Sequence, residues 1–123
     1  MKSYKDLEVY QASYNLALEV HKFTLTLPKH ELYEIGSQLR RSSQSIKDNI
    51  VEGYGRRQYE AEFIKFLIYA NASLLEATSQ LEMLRDIYKN QSLDSIITNY
   101  NTLGKQLITF IQYVENHWKT HNR

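Results

Sequence analysis

The 123-residue sequence contains no cysteine, one proline and four glycines. Without cysteine the chain forms no disulfide, thiolate metal site or cysteine nucleophile. So few helix-breaking residues predict long helices joined by short loops. Uncharged segments such as residues 66–75 fall well short of the roughly 20 residues that cross a bilayer. Because the charged start of the chain does not resemble a signal peptide, we expect a cytoplasmic protein without membrane association.

The sequence also lacks an excess of charge of either sign. Fifteen Lys and Arg face fourteen Asp and Glu, which leaves a formal net charge of +1. A chain this close to neutrality has no global basic field that attracts nucleic acid. Any binding of RNA or DNA therefore requires a local basic patch, or the repetition of such a patch in an assembly of several copies.

Apolar residues recur at intervals of three and four in four segments, which is typical of helices with one buried face. We predict helices at about residues 4–26, 31–54, 59–89 and 92–119, within a single domain spanning residues 1–123. No segment shows the sustained alternation that strands require. Short loops make sequential helices antiparallel, so the predicted fold is all-α, an antiparallel up-down-up-down four-helix bundle.

Cap residues mark the ends of these predicted helices. Ser3 and Asp6 have the spacing of a capping box at the start of the first helix. Pro28 ends that helix, because the residue before a proline avoids the helical conformation. Gly53 and Gly55 are expected to end the second helix in the left-handed conformation of a C-cap.

The first helix carries two apolar stripes on nearly opposite sides, since positions 7 and 9 lie about 200° apart on a helix. The stripe of Leu7, Tyr10, Tyr14, Ala17 and His21 is expected to face the core, with His21 hydrogen-bonded there. The opposite stripe needs a partner, unless its members are scattered exposed apolar residues. It supplies the candidate oligomer interface: Val9, Leu16, Val20 and Phe23.

The second helix is small and polar where a core helix is usually apolar. Ser42, Ser43 and Ser45 allow a neighbouring helix to approach closely, and their hydroxyls can bond to carbonyls one turn earlier. Asn49 needs hydrogen-bond partners if it is buried. We interpret Asn49 and Glu52 as bonded to helix ends. The candidate structural motif comprises Ser45, Asn49, Glu52, Gly53 and Gly55.

The sequence lacks the usual patterns of catalytic and metal sites. No glutamate stands three residues before any of the four histidines, so the Glu-x-x-His pairs of di-iron bundles are missing. His117 and His121 lie one turn apart, but two ligands near a chain end suit a solvated helix end better than a metal site. No serine lies in a nucleophile elbow. We predict a protein that is not an enzyme and holds no cofactor or metal.

A cluster of basic residues is the candidate nucleic-acid-binding site: Arg40, Arg41, Lys47, Arg56 and Arg57. In one interpretation these side chains contact phosphates. In the other they pair with acidic residues along a solvated helix face. Assembly into a ring would repeat each arginine and raise the local charge density.

Ordered motifs between residues 4 and 90 resemble the four-helix-bundle proteins encoded in intervening sequences of bacterial large-subunit rRNA genes. They are YKDLEVYQA (4–12), LPxxE (27–31), QLRR (38–41), SI (45–46), NIVEGYG (49–55) and FLxxA (66–70). The fourth helix resembles the family only in its general character and carries none of these motifs. Two departures stand out, namely Lys47 where the family commonly has proline, and Asn71-Ala72-Ser73 where it has glycine-serine. Lys47 should make the second helix straighter and more basic.

The resemblance implies a left-handed bundle and a ring-shaped homopentamer. It also implies a relation to the accessory protein of diversity-generating retroelements, a similar bundle associated with nucleic acid and a reverse transcriptase. The family's link to rRNA is largely one of gene location. Our leading hypothesis is a self-assembling bundle that binds RNA or DNA through the basic cluster. The alternatives are a scaffold for a protein partner on the outer stripe of the first helix, and small-molecule binding in the core.

Overall fold

The computed structural model describes residues 3–118, and these contain four long helices, two short ones and no strand. The elements are a 3-10 helix at Tyr4–Asp6, α1 at Glu8–Thr24, α2 at Lys29–Leu32, α3 at Ile35–Gly55, α4 at Glu60–Tyr88 and α5 at Leu93–His117. Helix α3 packs against α1 and α4, α4 packs against α5, and α1 contacts α5 less extensively. The predicted all-α four-helix bundle is confirmed.

Contacts at the bundle ends agree with alternating helix directions. Trp118, which follows α5, donates from Nε1 to the Arg57 carbonyl in the α3–α4 loop at 2.9 Å. The Trp118 ring also packs edge-on against Phe63 of α4, with 5.0 Å between the ring centroids. At the other end, the Tyr88 hydroxyl donates to the Glu31 carboxylate at 3.1 Å. None of the helices within residues 3–118 has the length and hydropathy of a membrane-spanning segment.

The predicted capping box is present, but it caps the short 3-10 helix. Ser3 Oγ accepts from the Lys5 amide at 3.0 Å, and the Asp6 carboxylate accepts from the Ser3 amide at 3.2 Å. Leu7 then adopts an extended conformation with ψ 127°, so that α1 begins at Glu8. The predicted start at residue 4 is therefore early by one short turn.

The predicted second helix is divided in two. After Pro28 the chain makes the single turn α2, and Glu34, with φ −105° and ψ −102°, interrupts the helix before α3 begins. The Glu31 carboxylate is buried and accepts from the Ile35 amide as well as from Tyr88. Arg40 donates from Nη2 to the Leu32 carbonyl at 3.1 Å. These bonds fix the α2–α3 turn against the end of the bundle.

The expectation that Gly53 and Gly55 form left-handed caps is wrong. Gly53 lies inside α3 and Gly55 is its last residue, and no glycine among the described residues has a positive φ. Gly53 is buried where α3 crosses α4, and a Cβ at that position would lie 3.1 Å from Phe66 Cβ and 3.2 Å from the Phe63 carbonyl oxygen. Gly53 therefore serves close helix packing. The left-handed cap belongs to Lys89, with φ 50°, at the end of α4.

Hydroxyl groups line the rest of the α3–α4 contact. Ser42 Oγ donates to Gln80 Oε1 at 2.7 Å, and the hydroxyls of Ser45 and Ser73 lie 2.9 Å apart. Ser42 and Ser43 also bond to backbone carbonyls one turn earlier in α3, as the sequence predicts. Small side chains and satisfied hydroxyls thus let α3 and α4 pack closely.

Helix α4 supplies the central seam of the core. Its predicted stripe is buried from end to end except for Tyr88: Phe63, Leu67, Ala70, Leu74, Ala77, Leu81 and Leu84. Leu39, Ile46 and Ile50 of α3 are fully buried in the same apolar cluster, and so is Leu107 of α5. Removal of this apolar surface from water is the main favourable term for folding.

The buried face of α1 is centred on the stripe that was predicted to lie outside. Leu7 and Ala17 of the predicted inner stripe are buried as well, so the prediction fails for only part of that stripe. Val9, Leu16 and Val20 are buried in the apolar core, and Phe23 packs against it partly buried. Tyr14 and His21, expected inside, are exposed. The assignment of Val9, Leu16 and Val20 to an oligomer interface is therefore wrong, because their side chains are already covered within the chain.

Two hydroxyl residues explain why the buried face of α1 was hard to recognise. Ser13 and Thr24 are fully buried beside the apolar stripe. Ser13 Oγ donates to the Tyr10 carbonyl at 2.9 Å and Thr24 Oγ1 to the His21 carbonyl at 2.8 Å. These local bonds remove most of the cost of burying a hydroxyl group.

We expect Gly53→Ala to destabilise the fold by about 1–2 kcal/mol, because the new methyl group would press on Phe66 Cβ and the Phe63 carbonyl. Urea unfolding followed by circular dichroism measures the change. Gly55→Ala is the matched control. A Cβ at Gly55 meets no atom within 4 Å, so this substitution should raise stability by about 0.4–1 kcal/mol. Equal effects of the two changes would contradict the assigned role of Gly53.

Tyr100 of α5 is fully buried, and its hydroxyl makes no hydrogen bond of ordinary geometry to a described residue. Burial raises the pKa of this hydroxyl, an effect that the nearby Ser43 hydroxyl partly offsets. We expect Tyr100→Phe to leave stability at neutral pH unchanged or higher by up to about 1 kcal/mol, because it removes an unsatisfied polar group.

The same substitution should change the response to alkaline pH. Above the ordinary tyrosine pKa of about 10, the unfolded chain releases the Tyr100 proton while the folded chain retains it, so stability falls as pH rises. Tyr100→Phe should remove from that dependence a contribution that grows from about 0.1 proton at pH 9 to about 0.9 proton at pH 11, measured by urea unfolding across this range. An unchanged slope would mean that Tyr100 titrates alike in both states.

Candidate functional site

Arg40 is the first of the predicted basic residues, and its guanidinium is bound within the α2–α3 turn. Its Nη2 holds the Leu32 carbonyl, and its Nη1 is buried without a hydrogen-bond partner among residues 3–118. A guanidinium held in this way is not free to contact a phosphate. Arg40 therefore belongs to the structural part of the bundle end.

Two further basic residues of the cluster form ion pairs. Lys47 pairs with Asp48 at 2.8 Å. Arg56 pairs with Glu52 at 2.9 Å and with Glu62 at 3.2 Å, and these contacts, led by the Glu52 hydrogen bond, raise its pKa. Ion pairs as exposed as those of Arg56 contribute little to stability, but they lower the charge available to a phosphate.

Arg57 is held at the end of α3. Its Nη1 donates to the Tyr54 carbonyl at 2.9 Å, and its guanidinium carbon lies 3.9 Å from the centre of the Tyr54 ring. The ring of Tyr54 is buried beneath it and packs edge-on against Phe63. The Tyr54 ring does not offer a stacking surface to a nucleic-acid base, because the protein already covers it.

Arg41 differs from the other four. It is exposed and makes no ion pair or hydrogen bond with any residue that the structure describes. It lines a groove on the outer surface of α3 and α4, together with Gln44, Asn49 and Phe66. The structure thus does not bring the five predicted residues into one patch, and it leaves Arg41 as the one among them without a partner.

Three residues of the candidate structural motif, Ser45, Asn49 and Glu52, line this groove. Asn49 Nδ2 donates to the Ser45 carbonyl at 2.8 Å and to Ser45 Oγ at 3.0 Å, and Ser45 in turn reaches Ser73. Asn49 therefore binds inside α3, and the interpretation that it bonds to a helix end is wrong. Glu52 does act near the helix end, through Arg56.

The groove carries both signs of charge. Arg41 and Arg56 line it together with Asp48 and Glu52, so its charged side chains cancel. A polyanion gains little from a surface whose formal charge is near zero. The chemistry of the groove suits a neutral or mixed-charge surface better than a phosphate backbone.

Large apolar side chains are exposed on two other surfaces. The outer row of α1 contains Tyr14 and Leu18, which is 46% exposed, and it continues to Leu25, which is 61% exposed and directly follows the helix. These residues lie opposite the buried stripe of the same helix. The row replaces Val9, Leu16 and Val20 as the part of α1 that a partner can reach.

The α4–α5 surface is the second apolar area. Ile68 is 51% exposed and Leu75 61% exposed on α4, while Ile108 is 46% exposed on α5. Sequence reasoning concentrated on the buried seam and missed this surface. The available signal was the adjacent pairs Leu67-Ile68 and Leu74-Leu75, since neighbouring residues of a helix point about 100° apart and the second member of each pair lies off the predicted seam.

Within residues 3–118 no group of three or more His, Asp or Glu side chains is arranged to hold a metal ion. His21 is exposed, and His117 stacks on Tyr113 with 4.8 Å between the ring centroids. His121, the other member of the predicted pair, lies outside the described residues.

Comparisons with known proteins identify related sequences and structures. No protein with a curated description matches it. A crystal structure at 1.70 Å resolution is similar, that of a protein with unknown function from the S23 ribosomal protein family of Bacteroides thetaiotaomicron VPI-5482. The two sequences are 26% identical, the match covers 85% of this chain and 95% of the other, and the TM-score is 0.76. Residues 5–109 match the family described as 23S rRNA-intervening sequence protein, and the chain therefore belongs to that family.

Proposed function

We propose that this protein is a non-enzymatic helical bundle that assembles with copies of itself. The observation that carries the proposal is the exposure of large apolar side chains on two separate surfaces, the outer row of α1 and the α4–α5 surface. Scattered apolar residues are ordinary on protein surfaces, but rows of half-exposed leucine and isoleucine on helices are typical of interfaces.

The positions of the two surfaces favour a head-to-tail assembly. Helix α1 packs against α3 and α5 and lies diagonal to α4. Its outer row and the α4–α5 surface therefore face different directions and cannot cover each other within one chain. Contact between unlike surfaces of successive copies generates a ring when the rotation closes. Five copies is the number that the family resemblance implies.

Binding of RNA or DNA is the second candidate function, and Arg41 is the observation in its favour. This arginine is exposed and unpaired, beside the amides of Gln44 and Asn49 and the ring of Phe66. A ring would repeat it once per copy, and a repeated guanidinium attracts phosphates more strongly than a single one. Asp48 and Glu52 in the same groove oppose this attraction, so self-assembly is the better-supported function.

Light scattering tests the self-assembly. Each chain has a mass of 14.6 kDa, so a pentamer should scatter as a particle of about 73 kDa. We expect Leu18→Lys to shift this mass toward one chain, because a desolvated ammonium group opposes association. Gln91→Lys, in the exposed α4–α5 loop, adds the same charge and should leave the mass unchanged. A monomeric wild-type protein would overturn the proposal and favour a scaffold for a different protein.

Fluorescence anisotropy with labelled structured RNA, single-stranded RNA and duplex DNA tests the second candidate. If nucleic acid binds, Arg41→Glu should weaken binding about tenfold and lower the slope of log K against log salt by about 1. Lys5→Glu makes the same charge change near the start of the chain and should have a smaller effect. Equal effects of the two variants would show that binding responds to net charge and not to the groove.

A further inference from the structure

Gly104 lies in the middle of α5, where the chain itself does not require a glycine. A Cβ at this position would meet only Leu74, at 3.4 and 3.9 Å, which is ordinary van der Waals contact. Gly36 and Gly53 differ, because a Cβ at either one would press on backbone or Cβ atoms. A glycine inside a helix costs about 1 kcal/mol relative to alanine. The missing side chain at position 104 therefore has no benefit inside the monomer.

The missing side chain does open the surface. Gly104 lies in a cleft of about 650 Å³ between α4 and α5, which we call the Gly104 cleft. Its other principal residues are Asn71, Leu75, Asn101, Lys105 and Ile108. Leu75 and Ile108 provide exposed apolar walls, and an alanine or a larger residue at position 104 would fill space that is now open.

Three polar groups around the Gly104 cleft lack partners. The side-chain amides of Asn71 and Asn101 make no hydrogen bond within the described part of the chain. Lys105 forms no ion pair there either. An occupant that suits this cleft therefore has an apolar side chain for its walls, an amide or hydroxyl group for the two asparagines, and a negative charge for Lys105.

We propose that the Gly104 cleft receives Leu18 of a second copy of this chain, an inference that rests on the proposed self-assembly. Leu18 is half-exposed on the outer row of α1, with Asn15 one turn before it and Glu19 beside it. Glu19 is exposed and has no ion pair among residues 3–118. Leucine thus matches the apolar walls, Asn15 matches the two amides, and Glu19 matches Lys105.

The position of both features along their helices fits this contact. Leu18 lies well inside α1 and Gly104 near the centre of α5, so that two helices can pack along their lengths without obstruction by loops. A glycine at the point of closest approach lets helix backbones come together, as in other tightly packed helix pairs. Each copy offers one Leu18 and one cleft, so the contact repeats until a ring closes.

Gly104→Met tests the inference, because its side chain would fill the cleft. Folding of the single chain should be preserved or slightly improved, whereas the concentration for half-assembly should rise at least tenfold. Circular dichroism and light scattering on the same samples measure both effects. Asn99→Met places the same side chain at an exposed position of α5 outside the cleft and should leave assembly intact. Assembly of the Gly104→Met variant at the wild-type concentration would overturn the inference.

A charge exchange tests the pairing of the two helices. Lys105→Glu and Glu19→Lys should each raise the concentration for half-assembly several-fold, and the double variant should recover most of the loss. Recovery is not expected if the two residues lie in different contacts. A monomeric wild-type protein would overturn the proposed self-assembly itself. An oligomer whose assembly is unchanged by Gly104→Met and by the charge exchange would overturn only the assignment of the Gly104 cleft as the contact site.

Discussion

The close contact of α3 and α4 is the constraint on which the rest of the structure depends. Gly53 removes the side chain where the two helices cross, and the hydroxyls of Ser42, Ser45 and Ser73 occupy the remaining contact without bulk. A contact that is small and polar fixes the rotation of α4 about its own axis. The seam from Phe63 to Leu84 then faces the core, and Ile68 and Leu75 are left on the outside. The exposed α4–α5 surface is thus a consequence of how tightly α3 is packed.

Much of this fold could be predicted from periodicity, and the failures have identifiable physical causes. The stripe of α4 could be predicted because it repeats at intervals of three and four along the whole helix, although Ile68 and Leu75 outside it are apolar too. Helix α1 has apolar residues on two sides. The buried side also carries Ser13 and Thr24, whose burial is possible because their hydroxyls bond to carbonyls of the same helix. A glycine near a helix end serves either a left-handed cap or a close crossing. Only the position of Phe66 in the folded chain decides between these uses for Gly53.

The candidate site was less predictable, because it depends on which partner each side chain finds. Arg40 reaches a carbonyl eight residues earlier, and Arg57 turns back to the Tyr54 carbonyl, although both appear free in the sequence. Spacing along a helix identifies a shared face but not the competing acceptors of the next turn. The Gly104 cleft is a tertiary feature formed by two helices. In the sequence its only trace is a glycine where neither a turn nor a helix end is expected.

The docking of Trp118 has a practical consequence. This is the only tryptophan in the chain, and it lies against Phe63 while its indole nitrogen donates to the α3–α4 loop. Its fluorescence emission therefore reports whether the end of α5 remains attached to that loop. The contact is remote in sequence, since 61 residues separate its two members. The protein thus carries an intrinsic optical probe of the closure of one end of the bundle, separate from the backbone signal of its helices.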